Sequence, residues 1–342
     1  MDRIFVYMRW MIYITVVLFI SSCHDNDIPD VSNIKVDLKV QRFEKDFFSI
    51  DTNNILPEIE RLRPSYPIFI NDFMNQILGF TSRSSPDTLS KYVRLFIRDY
   101  HFAKDSADLK FRDFAEPLKD IKQSLQFVKY YFPGYKIPAK VITFIGPLDG
   151  YSDVLSGDAL AVGLQLHLGK SFSFYQSDFG RDLFPEYIAQ KFEPAYIPVN
   201  CIRNILDDMY PDKSAGKALI EQMVEKGKRL YLMDRLLPYT PGYFKIGFTK
   251  TQLEDCYKNE AVIWDLFLNN NLLNNSEQDV VKNYIGDSPK TQELGEDAPG
   301  NIGSFCGWQI VKKYMSKNVK ISLKQLMEKD DREVYTNSRY KP

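Results

Sequence analysis

Residues 197–238, reading IPVNCIRNILDDMYPDKSAGKALIEQMVEKGKRLYLMDRLLP, constrain the fold more than any other stretch of the chain. Ile202, Ile205, Leu206 and Met209 recur at helical spacing, and Pro211 bars the helix from continuing. A second periodic run, through Ala218, Leu219, Met223, Leu230, Tyr231, Met233 and Leu237, stops at Pro238. The spacing predicts two helices joined by a proline-bounded turn, with Asn200 capping the first and Ser214 the second. The second would run for about six turns. A helix of that length needs partners on several sides, so the rest of the chain is expected to pack around this pair. The polar residues of such a pair are the first functional candidates.

The first 22 residues belong to another composition class. Arg3 and Arg9 precede an apolar run over 10–20, too short and too early for a membrane span, and the pattern is that of a secretion leader. Ile20-Ser21-Ser22-Cys23 resembles a bacterial lipobox, with Cys23 as the expected lipid-attachment site and mature N-terminus. Each buried acyl methylene contributes about 0.8 kcal/mol, so several chains hold such a protein to a membrane. The expected organisation is therefore a leader over 1–22, a polar flexible tether over 23–33 and one large domain over 34–342, lipid-anchored in the cell envelope. His24, in the tether, is read as solvated. Basic and acidic residues number 44 and 45 with no long run of either sign, which argues against a nucleic-acid groove. Cys201, Cys256 and Cys306 remain after lipidation, an odd number that allows at most one disulfide or leaves buried free thiols.

Along the domain, the part over 34–135 reads as mostly helical and that over 136–342 as mixed. A partial alternation over 34–43 predicts an early strand, followed by helices over 47–62, 66–80, 87–98 and 111–131. His101 falls just beyond one of these and is expected to be packed or hydrogen-bonded. Residues 139–145 form a β-rich run, and 149–157 a glycine- and serine-bearing connection to a second strand. There Leu160, Val162, Leu164, Leu166 and Leu168 are expected to face the core, leaving Gln165 and His167 on the opposite side, toward a cleft or solvent, or with His167 in a structural hydrogen bond. The aromatic, loop-rich stretch 171–198 is expected to cover the central helices. Further helices are predicted over 249–269, 276–285, after the glycine-bearing loop at 299–303, and over 322–329.

The segments KDFFSID, YPIFINDFMNQILGF, DALAVGLQLHLG, FPEYIAQKFEPAYIPVNCIRNILDDM and GNIGSFCGWQIVKKYM, together with the leader and lipobox and in this order, resemble the GldB family of gliding-motility lipoproteins across most of the mature chain. More distantly, the order strand, helix, long helix and late G-x-x-x-G-W helix is similar to a family of zinc metallopeptidases with a zincin-like fold. In those proteins the first central helix carries H-E-x-x-H. The resemblance implies an α+β, predominantly helical, degenerate zincin-like domain with a small β-sheet. It also implies a noncatalytic envelope lipoprotein that contacts other proteins of a gliding-motility or associated secretion apparatus.

The residues bear on the metal directly. Zincin chemistry needs two neutral imidazoles one helical turn apart, a Glu beside the first to activate water, and a third ligand from a following helix. The nearest equivalent here, Arg203-Asn204-Ile205-Leu206-Asp207, offers a cation, an amide of no useful basicity and a lone carboxylate. His24, His101 and His167 cannot form an i, i+4 pair. Glu225 falls near the third-ligand position, and with Glu221 at i, i+4 it is expected to mark a solvated face. Asp207-Asp208 and Asp330-Asp331 read as solvated pairs at helix ends. Gly300, Gly303 and Gly307 open a helix without the Walker Lys-Ser/Thr ending and, beside Phe305 and Trp308, favour close packing over anion binding. No G-x-S-x-G elbow occurs. No catalytic residue, metal or cofactor is expected. Two other readings remain open: a hydrolase with Asp207, Glu225 and His167 around a metal, and a surface module binding peptide or glycan through the aromatics over 172–196.

Overall fold

The computed structural model describes residues 28–81 and 83–342, and residues 31–342 form one compact unit. The leader, Cys23, His24 and the tether up to residue 27 lie outside the described residues. Among the described residues no helix is long and apolar enough to cross a membrane.

A four-stranded mixed sheet sits in a predominantly helical chain, the α+β class expected. Its strands are β1 (Lys39–Arg42), β2 (Lys140–Phe144), β3 (Asp153–Ser156) and β4 (Ala159–Gly163), in the order β1-β2-β4-β3. β2 lies parallel to β1 and to β4, while β3 runs antiparallel along the outer side of β4. β3 falls inside the stretch read as a loop, because four residues, Asp-Val-Leu-Ser, are too few to display a period. β4 is buried on both faces, as parallel strands covered on both sides are. Two inward faces correct the expectation for Gln165 and His167. Both are buried, in and just after the 3-10 turn that ends the strand at Leu164–Leu166. Gln165 accepts from the Gly146 N–H at 3.0 Å and donates to the Tyr151 carbonyl at 3.0 Å.

The N-terminal part is mostly helical as expected, but the helix expected over 47–62 is two, Phe43–Phe48 and Ile55–Leu62, and between Pro86–Asp99 and Ala115–Tyr131 lies a further helix, His101–Lys110, that the spacing does not predict. The helix expected over 66–80 instead changes pitch, from an α-turn at Phe69–Asp72 to a π-helical turn at Phe73–Ile77. This delivers Phe69 and Phe73 to an aromatic cluster with Phe43 and Phe47, with ring centroids of Phe43 and Phe73 4.7 Å apart. His101 opens a helix rather than trailing one, and its side chain is 56% exposed.

The central pair is present as Tyr196–Met209 and Leu219–Leu236, but both predicted caps are wrong. The first helix starts four residues before Asn200, which frees that side chain for another partner. Pro198 is tolerated because an N–H in the first turn has no intrahelical acceptor. Ser214 lies in the turn and donates to Asp212 Oδ1 at 2.6 Å. The second helix is buried on nearly every side, including Glu225, Lys228 and Arg229. Its main partner is the helix Ile302–Lys317, which it meets backbone to backbone. A Cβ on Gly307 would lie 1.7 Å from the Met223 carbonyl oxygen, and one on Gly227 would lie 2.1 Å from that of Gly307. Of the glycines that could have suggested an anion loop, Gly307 is thus a helix-crossing device, while Gly300 packs against the backbone of Ser288. On the other side, Lys228 Nζ donates to Asp331 Oδ1 at 2.7 Å, tying the core to the last helix, Asp331–Ser338. Asp331 is therefore 4% exposed rather than solvated, while Asp330 caps that helix through the Glu333 N–H. Cys201, Cys256 and Cys306 are buried free thiols.

Candidate functional site

A cleft of about 850 Å3 opens where the two central helices face β3, walled in part by Phe192, Tyr196 and Ile246. Arg203, Asn204 and Asp207 all line it. They sit on the outward side of the first central helix because Ile202, Ile205 and Leu206 turn the opposite side into the core.

Arg229 of the second helix dominates the electrostatics. Its Nη1 donates to Asp207 Oδ1 at 2.5 Å, its Nε to Glu225 Oε1 at 2.9 Å, and its Nη2 to the Tyr210 carbonyl. One fork thus joins the end of the first central helix to the second, the geometry for which a guanidinium is suited. Glu225 is 8% exposed. Burial raises its pKa above the ordinary carboxylate value, and the Arg229 charge opposes that shift. The face expected to be solvated is in fact an interior ion cluster, and Glu221 pairs separately with Arg332 at 3.3 Å.

The rim toward the sheet has its own network. Asp153 Oδ2 lies 2.9 Å from His167 Nε2 and accepts from Asn200 Nδ2 at 2.7 Å. Asn200, freed by the early start of its helix, thereby pins β3 to the first central helix. The structure does not bring His167 to Asp207 and Glu225: the histidine is engaged by Asp153, and the two acids by Arg229. Among the described residues no group of three or more His, Cys, Asp or Glu side chains is placed to hold a metal ion.

The remaining cleft cations mostly carry carboxylates, Lys191 with Asp287, Lys226 with Asp212, and Lys245 with Asp234, each at 2.9 Å. Asp212 is held well below the usual carboxylate range by Ser214 and Lys226, against the opposing effect of burial. Asp153, Lys226, Arg229 and Lys245 carry no signal in the sequence, since their pairings with His167, Asn200, Asp212, Asp207 and Asp234 span 11 to 47 positions and leave no local pattern. The 172–196 aromatics divide differently from the expectation. Tyr175, Phe184, Phe192 and Tyr196 are core, while Phe179 stands out at 68% exposed.

The family described as Gliding motility protein GldB matches residues 24–342. No curated protein and no solved structure matches the chain.

Proposed function

The chain belongs to the gliding motility protein GldB family, and from that membership we propose that it is a noncatalytic, lipid-anchored envelope protein. It works through contacts with other proteins of a gliding-motility or associated secretion apparatus. The observation that carries this reading is the Arg229 fork. A fixed guanidinium occupies the space between the central helices, consuming Asp207 and the buried Glu225 that a metal would otherwise need. In this reading the domain is a zincin-like scaffold in which a side-chain cation has taken over the cross-linking role of an ion. A guanidinium has no open coordination position and cannot activate water, so what remains to the cleft is recognition. Anchoring is assigned to Cys23, which follows small residues at the end of the leader.

The test is affinity purification of the full chain from envelopes in mild detergent, beside a Cys23→Ala variant. Recovery of defined envelope proteins with the wild type, and loss of the variant from the membrane fraction, are the expected results. Recovery of no specific partner counts against the apparatus role, and unchanged membrane retention of the variant against the anchor.

A further inference from the structure

We infer that the cleft between the central helices is a carboxylate-reading site for a peptide, with Arg203 as its charge-bearing contact and Asn204 beside it. This rests on the noncatalytic reading above and names the chemistry that such a cleft would recognise.

Arg203 differs from every other cation that lines the cleft. Lys191, Lys226, Arg229 and Lys245 each hold a carboxylate, whereas Arg203 makes only two long hydrogen bonds among the described residues. These run 3.5 Å to Asn200 Oδ1 and 3.4 Å to the Lys245 carbonyl. The cause is visible one turn along the same helix. Asp207, at i+4, is the natural partner of Arg203, and Arg229 has taken it. The Arg229 ion cluster therefore leaves the Arg203 guanidinium without a carboxylate at the cleft surface.

The second observation is independent of charge. Asn204 Nδ2 is shielded from solvent and has no hydrogen-bond partner, a state that costs on the order of 1–3 kcal/mol unless something else satisfies it. It lines the same cleft. The exposed Arg203 guanidinium can only donate, and the Asn204 amide N–H also lacks an acceptor, so the component missing from this part of the cleft is an acceptor.

Charge narrows the acceptor. Asp207 stands one turn from Arg203, and Asp153 is bound to the Asn200 side chain that Arg203 touches. Those carboxylates repel a dianion more strongly than a monoanion, which favours a carboxylate over phosphate. Phe192, Tyr196 and Ile246 supply an apolar wall, and the cleft volume lies in the range that takes small ligands and peptide side chains. The combination suits a peptide that presents a carboxylate next to an apolar side chain.

The test is calorimetric titration of the full chain in detergent with N-acetyl-leucyl-phenylalanine bearing a free carboxylate, its terminal amide, and inorganic phosphate. The acid should bind saturably and at least about 10-fold more tightly than the amide, a difference that Arg203→Met should abolish. Arg203 is exposed, so the variant should keep its fold. Asn204→Leu should weaken binding of the acid while raising the melting temperature, so that the lost binding could not be put down to lost stability. Equal binding of acid and amide, insensitivity to Arg203→Met, tighter binding of phosphate, or no saturation up to about 10 mM acid would each overturn the inference. Stoichiometric zinc in the same preparation strikes the proposed function, whereas lost carboxylate selectivity in metal-free protein strikes this inference alone.

Discussion

Gly307→Ala sets two physical effects of opposite sign against each other. Helix propensity favours the change, since alanine in a helix interior is worth about 0.8–1.0 kcal/mol over glycine. Packing opposes it. The new methyl would sit 1.7 Å from the Met223 carbonyl oxygen and 2.4 Å from its carbon, and ordinary contact begins near 3.4 Å. The helices Leu219–Leu236 and Ile302–Lys317 must then separate by about 1.5 Å at their crossing, and a gap of even 0.5–1 Å forfeits a quarter to a half of each dispersion contact. Because Met223, Phe305 and Trp308 are all buried at or beside this crossing, the loss is shared by large side chains. Overpacking costs about 1–3 kcal/mol, the upper end applies where the obstacle is backbone, and less the propensity gain the net expectation is destabilisation by about 2 kcal/mol. The assay is urea unfolding followed by circular dichroism, with Gly134→Ala as control. A Cβ at Gly134 meets nothing within 4 Å, and that variant should stay within about 0.5 kcal/mol of the wild type. A Gly307→Ala protein as stable as the wild type, or more so, would refute the backbone-to-backbone crossing.

Other perturbations test the ion clusters and the cleft. Asp331→Ala leaves Lys228 buried with only the Lys329 carbonyl, and should cost about 3–5 kcal/mol in urea unfolding; combining Lys228→Met with Asp331→Asn should recover much of this, because no charge then stays buried. Asn204→Leu removes the orphaned amide and should stabilise the protein by about 1 kcal/mol, a result read from the shift in unfolding midpoint. Glu44, fully buried against Thr143 and Arg42, has its pKa raised by desolvation from the ordinary 4.5, against the lowering effect of Arg42. Between those two values the folded state holds more protons than the unfolded one, so stability is lost as pH rises through the raised pKa. Stability measured across that window should accordingly move in favour of Glu44→Gln with rising pH, and a constant difference between the two proteins would contradict the assignment.

The central helices were legible because their apolar spacing is local, and both ran within a few residues of the expected limits. Their caps were not. Asn200 has the side chain of a cap, but the helix continues upstream through Pro198, and only the fold shows that Asp153 claims the amide. Of the readings open for His167, the structural hydrogen bond, to Asp153, is the one present. Alternation predicts two faces without saying that both are covered, so the burial of Gln165 and His167 was not legible. The same limit applies to the site. Arg203, Asn204 and Asp207 could be singled out by comparison with a zinc motif, and Glu225 by its helical distance from them. Arg229, which decides what all of them do, is an unremarked basic residue in a helix until the two helices are brought together.

The most direct test of the account is elemental analysis of the full chain, purified in detergent without chelator, with its melting temperature measured before and after added zinc. With Arg229 holding Asp207 and Glu225, the account predicts no stoichiometric transition metal and an unchanged melting temperature. One zinc per chain, lost on Asp207→Ala or Glu225→Ala, would contradict it.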